Sequence, residues 1–193
     1  MGQISKFKNR NEKLFYYTLH IIGDKMKINF GAGNRHEEGY VNLDKEQLDL
    51  NKLPYNFDAG SVDEINCCHV LEHLDAKPSE VMNEFLRILK DDGVIKIQVP
   101  HFSWHNAYDE DHERFFNTNS FSFMHKTNIE KEVYNYITRE VKVGFYKGWR
   151  FWEYPAEWLI NSNRHIMMVW ESTFLVNLFT ANQIFFEIRK VRT

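Results

Sequence analysis

Lys27-Ile28-Asn29-Phe30-Gly31-Ala32-Gly33-Asn34-Arg35, followed by Tyr40-Val41-Asn42-Leu43-Asp44, is the stretch that decides the fold. A short apolar run stops at a Gly-x-Gly, and a second strand-like run stops at an acid. Gly31 and Gly33 let the backbone turn sharply and approach a ligand with no Cβ in the way. Asp44 offers two acceptor oxygens, suited to the paired hydroxyls of a ribose. Both features fall at the carboxyl ends of adjacent parallel strands, where open α/β sheets bind nucleotides. A nucleoside-bearing ligand is therefore the leading expectation. The third glycine of the dinucleotide fingerprint is missing, because His36 stands in its place. Asp44 follows Gly33 by eleven residues, where that fingerprint sets its acid about 20 on. A hydride-transferring nicotinamide enzyme is disfavoured, and a site with no pyrophosphate to cradle fits better.

Strand and helix signals alternate along the rest of the chain. Asn11–Ile22 reads as a leading helix with Leu14, Phe15, Leu19 and Ile22 on one face. Ile28–Phe30 and Tyr40–Leu43 read as the first two strands, and Val62–Cys68 as a fully buried third. Ser79–Lys90 is a predicted helix, opened by Pro78 and Ser79 and closed by Asp91-Asp92-Gly93, and Val94–Val99 is the strand after it. Lys131–Phe145 and Ile184–Val191 read as further strands, with a helix from Ala156 to Phe179 between them. This alternation predicts an α/β fold, a Rossmann-like and mostly parallel sheet with helices on both faces. Too few residues separate Gly33 from the second strand for an ordinary crossover helix, so the first crossover helix is expected to be shortened. That leaves any ligand contacts from Asn34–Glu38 open.

A length of 193 residues fits one domain with a real core. With 43% hydrophobic residues the chain should fold unaided. A formal charge of -3 and no long Lys/Arg run argue against nucleic acid as the main partner. Cys67 and Cys68 are adjacent on a strand and point to opposite faces. A disulfide between them is not expected, and reduced cysteines fit a cytoplasmic location. Met1-Gly2-Gln3-Ile4-Ser5-Lys6 misses the myristoylation pattern at Lys6. The N-terminus lacks a signal-peptide core, and no apolar run is long enough to span a bilayer.

Five segments occur in a specific order: Gly31-Ala32-Gly33; Asp44; Asp49-Leu50-Asn51-Lys52-Leu53-Pro54-Tyr55; Ser61-Val62-Asp63-Glu64-Ile65; and His69-Val70-Leu71-Glu72-His73-Leu74. This series resembles class I S-adenosylmethionine (SAM)-dependent methyltransferases, most closely their small type-11-like branch, over residues 27 to 125. The resemblance implies SAM as cofactor and an antiparallel last strand. It implies that Gly31 and Gly33 face the methionine portion of SAM and that Asp44 holds the ribose. Asp49 would meet the adenine amino group with Leu50 beside the ring, and His69 would reach the methionine end. The expected organisation is one domain over residues 1–193, with a helical extension at 1–26, a cofactor half at 27–130 and a substrate-side half at 131–193.

Histidines crowd one region: His69, His73, His101, His105 and His112 all follow expected strand ends. His69, Glu72 and His73 stand at i, i+3 and i+4, one face of a helix, and imidazole with carboxylate suits Zn²⁺, Fe²⁺ or Mn²⁺. The reading adopted is the plainer one, with Glu72 and His73 capping and packing a helix start and no metal. For catalysis, methyl transfer from a sulfonium gains most from alignment and exclusion of water, and a hydroxyl or amine acceptor also loses a proton. His is suited to take it. His101, after Pro100, is expected to point into the cleft. His112 and Arg114 lie in Asp109-Glu110-Asp111-His112-Glu113-Arg114-Phe115-Phe116, which resembles a family segment with Glu110 in place of its proline. His101 or His112 is the expected base, and Arg114 an acceptor-orienting or structural residue.

The aromatics of Phe145–Tyr154 and Trp158 are read as core contacts rather than a lid, and the apolar face carrying Ile166, Met167, Val169, Trp170, Phe174 and Leu175 as core. The resulting expectation is methyl transfer to a small-molecule or glycan/lipid-like acceptor, at O or N, by a monomer or homodimer without stable membrane insertion. The alternative is a degenerate SAM-binding partner protein that keeps the fold without transfer.

Overall fold

The computed structural model describes residues 25–121, 135–145 and 153–191. The expected leading helix Asn11–Ile22 lies outside them. Six strands, β1 (Lys27–Phe30), β2 (Val41–Leu43), β3 (Val62–Cys68), β4 (Leu89–Pro100), β5 (Asn135–Phe145) and β6 (Ala181–Val191), form one sheet in the order β2-β1-β3-β4-β6-β5. The first four pair in parallel, and β6 runs antiparallel to both neighbours. The antiparallel last strand is thus as expected. Among the described residues four α-helices accompany the sheet: α1 (Pro78–Ile88), α2 (Glu153–Ser162), α3 (Arg164–Glu171) and α4 (Leu175–Leu178).

Helix α1 starts with Pro78 in its first turn, where the missing N–H costs nothing. Val81, Met82, Phe85 and Leu86 make its buried stripe. Phe85 stacks face to face on Phe30 of β1, with centroids 5.2 Å apart, and Tyr55 leans on both rings. Each such fully buried side chain contributes about 1.5–3 kcal/mol. The helix ends two residues earlier than expected. Leu89 is already extended and pairs with Val62 of β3, and its side chain is fully buried. Asp91-Asp92-Gly93 therefore lies inside β4 rather than closing a helix. Asp92 is left-handed there (φ 62°), and a Cβ on Gly93 would meet the Lys90 carbonyl oxygen at 2.9 Å.

The expected single helix from Ala156 to Phe179 is three helices. Asn163 caps α3 by accepting from the His165 N–H, and Ser172 and Thr173 interrupt the chain again. Met167 and Trp170 are buried, but Val169 is 45% and Phe174 71% exposed, so the expected core face is only partly buried. Trp158, at 74% exposure, is not a core residue either. Phe145 is buried against Trp170, while residues 146–152 lie outside the described ones. On the open edge of β5, the Asn161 side chain bonds both the N–H and the carbonyl of Val143, at 2.9 Å each. It occupies the backbone groups that another strand would seek.

The sheet's two faces differ. Ile28, Phe30, Ile65, Cys67, Ile95, Ile97 and Ile188 line the apolar one. β3 is buried on this face only, so it alternates rather than reading as fully buried. Across the other face runs a polar row, Asn42, Asn29, Asn66 and Lys96, in register from β2 to β4. Asn29 donates to Asn42 Oδ1 (2.8 Å) and Asn66 donates to Asn29 Oδ1 (2.9 Å). These amides also bind the loop above them. Asn29 donates to the Arg35 carbonyl, and the Asn42 amide pairs with both the N–H and the carbonyl of Glu37. The shortened crossover helix is therefore a stretch of turns laid flat on asparagines, with no helix between β1 and β2.

One row below, Glu64 accepts from Tyr40 (2.5 Å) and Lys96 (2.5 Å) and pairs with Lys27 (3.0 Å). Burial opposes its ionisation most strongly, yet these three donors together hold its carboxyl at about 2. Because the folded value lies below the ordinary 4.5, this stabilisation is complete above about pH 4.5 and lost as pH falls toward 2. Urea unfolding from pH 6 to 2 should show Glu64→Gln losing about 1–2 kcal/mol less than wild type, a range reduced for screening at the exposed lysines. Equal losses would mean that the cluster is not ionised as described.

Candidate functional site

The loops after β1, β2 and β3 meet at the carboxyl ends of their strands. Ala32 donates to the Leu43 carbonyl (3.0 Å), so the next residues on each chain, Gly33 and Asp44, lie side by side. Gly31 and Gly33 are both left-handed, with φ 63° and 46°. Their surroundings differ. A Cβ on Gly31 would sit 2.2 Å from Val70 Cγ2, so Gly31 closes the β1 loop onto the β3 loop. A Cβ on Gly33 would meet nothing within 4 Å, which leaves its backbone open to a ligand. Gly31→Ala should therefore cost about 2–4 kcal/mol of stability, from strain plus overpacking. Gly33→Ala should cost about 1 kcal/mol and weaken ligand binding instead. Thermal unfolding and ligand titration of the two variants separate these roles, and equal stability losses would contradict them.

Asp44 is exposed. Its Oδ1 accepts from the Lys45 N–H (2.8 Å), and among the described residues its Oδ2 has no partner. Asp49 caps the next turn, accepting from the Asn51 N–H (3.1 Å) and pairing with Lys52 (3.1 Å). The Asn51 bond first, then Lys52, lowers its carboxyl from the ordinary value. Leu50, expected beside the adenine ring, packs into the core. It is 5% exposed in the core, and its carbonyl accepts from the Tyr55 hydroxyl.

His69 ends β3 in a left-handed conformation, φ 54°, unusual for a residue with a side chain. Its Nδ1 lies 3.1 Å from Glu72 Oε1, and its Nε2 lies 3.1 Å from Gln98 Nε2. An amide nitrogen only donates, so Nε2 accepts and Nδ1–H donates to the carboxylate. Gln98 also donates to Gln183 Oε1 on β6. Both glutamines were missed from sequence, although Lys96 and Gln98 alternate with apolar residues along β4. Glu72 and His73 do not cap a helix start. Leu71–His73 is a single 3₁₀ turn without a side-chain cap, and Glu72 is wholly buried beneath it.

His101 does not point into a cleft. It is fully buried, Nε2 lies 3.0 Å from Glu171 Oε1, and Nδ1 accepts from the Ser103 N–H. Both ring nitrogens are engaged because the chain after Pro100 turns inward against Trp170, whose ring is 5.2 Å away. Arg114 donates to the carbonyls of Leu74 and Asp75, joining the loop after β4 to the loop after β3. It is a staple here. His112 Nδ1 lies 3.2 Å from the Ala107 carbonyl, which leaves Nε2 open. Cys67 and Cys68 are free thiols, and burial raises both above the ordinary thiol range. Between α2, α3 and α4 lies an apolar cavity of about 450 Å³, lined among others by Pro155, Leu159, Ile166, Val169, Trp170 and Phe179.

Residues 22–97 match the family model described as a methyltransferase domain. Over that stretch the chain is similar to methyltransferase domains. Among curated protein sequences none matches it. Solved structures share its fold. A SAM-dependent methyltransferase from Archaeoglobus fulgidus is 18% identical with a TM-score of 0.55, over 93% of this chain and 91% of that one. The YcgJ protein of Bacillus subtilis is 12% identical with a TM-score of 0.53, over 96% and 100% of the two chains. A Listeria monocytogenes protein described as a putative SAM-dependent methyltransferase is 7% identical with a TM-score of 0.51, over 95% and 100%. The methyltransferase sheet expected from the ordered motifs is thus the observed one. No helix among the described residues is long and apolar enough to cross a membrane.

Proposed function

We propose that this chain binds SAM at the loops after β1 to β3 and transfers its methyl group to an oxygen or nitrogen of a small-molecule or glycan/lipid-like acceptor. The observation that carries the reading is the pairing of the open Gly33 backbone with the exposed Asp44, whose second oxygen has no partner among the described residues. These groups suit a ribose and a close-lying chain of atoms, and Asp49 stands at the next turn for an adenine amine. SAM when bound supplies a methyl group on a sulfonium. The chain's own work is to align that group, to exclude water and to hold the acceptor. In this reading residues 27–130 carry the cofactor and residues 131–193 face the acceptor. The apolar cavity beside Trp170 is the place for an acceptor's hydrocarbon or ring part.

A second reading, a SAM-binding protein that has lost transfer, is favoured by one observation: His101 is fully buried with both nitrogens engaged. Calorimetric titration with S-adenosylhomocysteine tests the common part. Micromolar binding with no response to NADH supports the site, and no heat from folded protein would overturn it. Turnover on an acceptor panel then separates enzyme from degenerate binder.

A further inference from the structure

Glu72, His73 and His112 each offer a ligand atom, and these atoms all lie within 4.8 Å of one another. The two histidines come from different loops, after β3 and β4, and their rings meet edge to face at 4.7 Å. We propose that these three residues bind one divalent transition-metal ion, Zn²⁺ by first choice, with further positions open to water or to an oxygen of the acceptor. The site deepens the methyltransferase reading and rests on it only for the acceptor's oxygen.

Three observations support the site independently of motif. First, Glu72 is fully buried and its Oε2 has no hydrogen-bond partner. A buried carboxylate oxygen left without a partner is costly, and a cation is the partner that suits it. Second, both imidazoles are held through Nδ1. His73 Nδ1 lies 3.1 Å from the Asp111 carbonyl and 3.3 Å from its carboxylate, and His112 Nδ1 lies 3.2 Å from the Ala107 carbonyl. An Nδ1–H given to an oxygen fixes the tautomer and leaves Nε2 with its lone pair, the arrangement found behind metal-bound histidines. Third, the carboxylate has the same support, since His69 Nδ1–H donates to Glu72 Oε1 and is itself held by Gln98.

Two imidazoles and one carboxylate form a borderline donor set that suits Zn²⁺, with Fe²⁺ and Mn²⁺ as alternatives, and three protein ligands leave the coordination open. Asp109, Glu110, Asp111 and Glu113 surround His112 in sequence and favour a cation there. Ligation makes His112 a metal ligand rather than the expected base.

The test is titration of chelator-treated, metal-free protein with Co²⁺, read by its visible absorption, followed by displacement with Zn²⁺. One equivalent should bind. His73→Ala and His112→Ala should each weaken it by more than about 100-fold, beyond what loss of an outer partner costs. His105→Ala, at an exposed neighbouring histidine, should leave it unchanged. No saturable signal overturns the site. So does a signal that survives both ligand substitutions or disappears with His105→Ala. S-adenosylhomocysteine is titrated into the same metal-free protein, so intact cofactor binding with no metal overturns the cation site alone.

Discussion

Asp44→Ala is expected to weaken S-adenosylhomocysteine binding by about 100-fold or more while leaving the fold intact. A carboxylate accepting two ribose hydroxyls makes two charge-assisted hydrogen bonds, worth about 1.5 kcal/mol each at the low end. Together they amount to about 3 kcal/mol, and each 1.4 kcal/mol is tenfold in affinity. The fold does not depend on the carboxylate. The Asp44 N–H donates to Gln47 Oε1 (2.8 Å), and its carbonyl accepts from Gln47 and Leu48 at 2.9 Å each, all through backbone atoms that alanine keeps. Only the exposed Lys45 N–H loses its acceptor, and water replaces it. Asp44→Asn should fall between, at about tenfold, because one oxygen becomes a donor. Titration of both variants, with circular dichroism to verify folding, decides the matter. Unchanged affinity in Asp44→Ala would place the ribose elsewhere.

Glu171→Ala is expected to cost about 3–5 kcal/mol of stability, the usual result of removing one partner from a buried, hydrogen-bonded pair. The carboxylate accepts from His101 Nε2 (3.0 Å), the Thr118 N–H (2.8 Å) and Thr118 Oγ1 (2.6 Å). His101 is wholly buried and the Glu171 side chain is 8% exposed. Alanine strands all three donors away from water. Arg164 ties the same loop from α3 by donating to the Thr118 carbonyl (2.5 Å) and Asn119 Oδ1 (2.7 Å). The damage therefore spreads along the loop after β4 rather than staying local. Burial opposes the ionisation of Glu171 most strongly, but the bonds from His101 and Thr118 outweigh it and lower its carboxyl below the ordinary value. The stabilisation is then complete above the ordinary carboxylate range and is lost as pH falls through the folded value. Glu171→Gln keeps an acceptor and should lose about 1–3 kcal/mol. Urea midpoints at neutral pH give the comparison, and a loss below about 1 kcal/mol for Glu171→Ala would contradict the assignment.

The first three strands of this protein were legible because their signals are local. Strand ends at Phe30, Leu43 and Cys68 coincide with turn chemistry in sequence, and the boundaries of β3 agree residue for residue. The expectations that failed depend on contacts far apart in the chain. Whether Leu89 continues a helix is decided by Val62, and whether His101 faces a cleft is decided by Glu171, 70 residues away. The metal-like cluster has the same character. Sequence spacing grouped His69 with Glu72 and His73, whereas the fold puts His112 in the third ligand position and His69 behind the carboxylate. Asn29 and Asn42 did carry a readable signal. A polar residue repeated on the outward face of two short strands leaves no apolar seat for a helix.

The missing helix behind Gly33 also changes how charge is recognised. A helix amino terminus beneath a glycine loop supplies about half a positive charge from fixed backbone dipoles. Here the loop rests on asparagine amides, and no such dipole stands behind it. In the proposed reading, attraction for the carboxylate of the cofactor's amino-acid end would pass to exposed cations of the loop such as Arg35. Charges of that kind are screened beyond about 8 Å at physiological ionic strength. On that reading, capture of the cofactor would be coupled to the salt content of its surroundings, strengthening in dilute medium and weakening in concentrated.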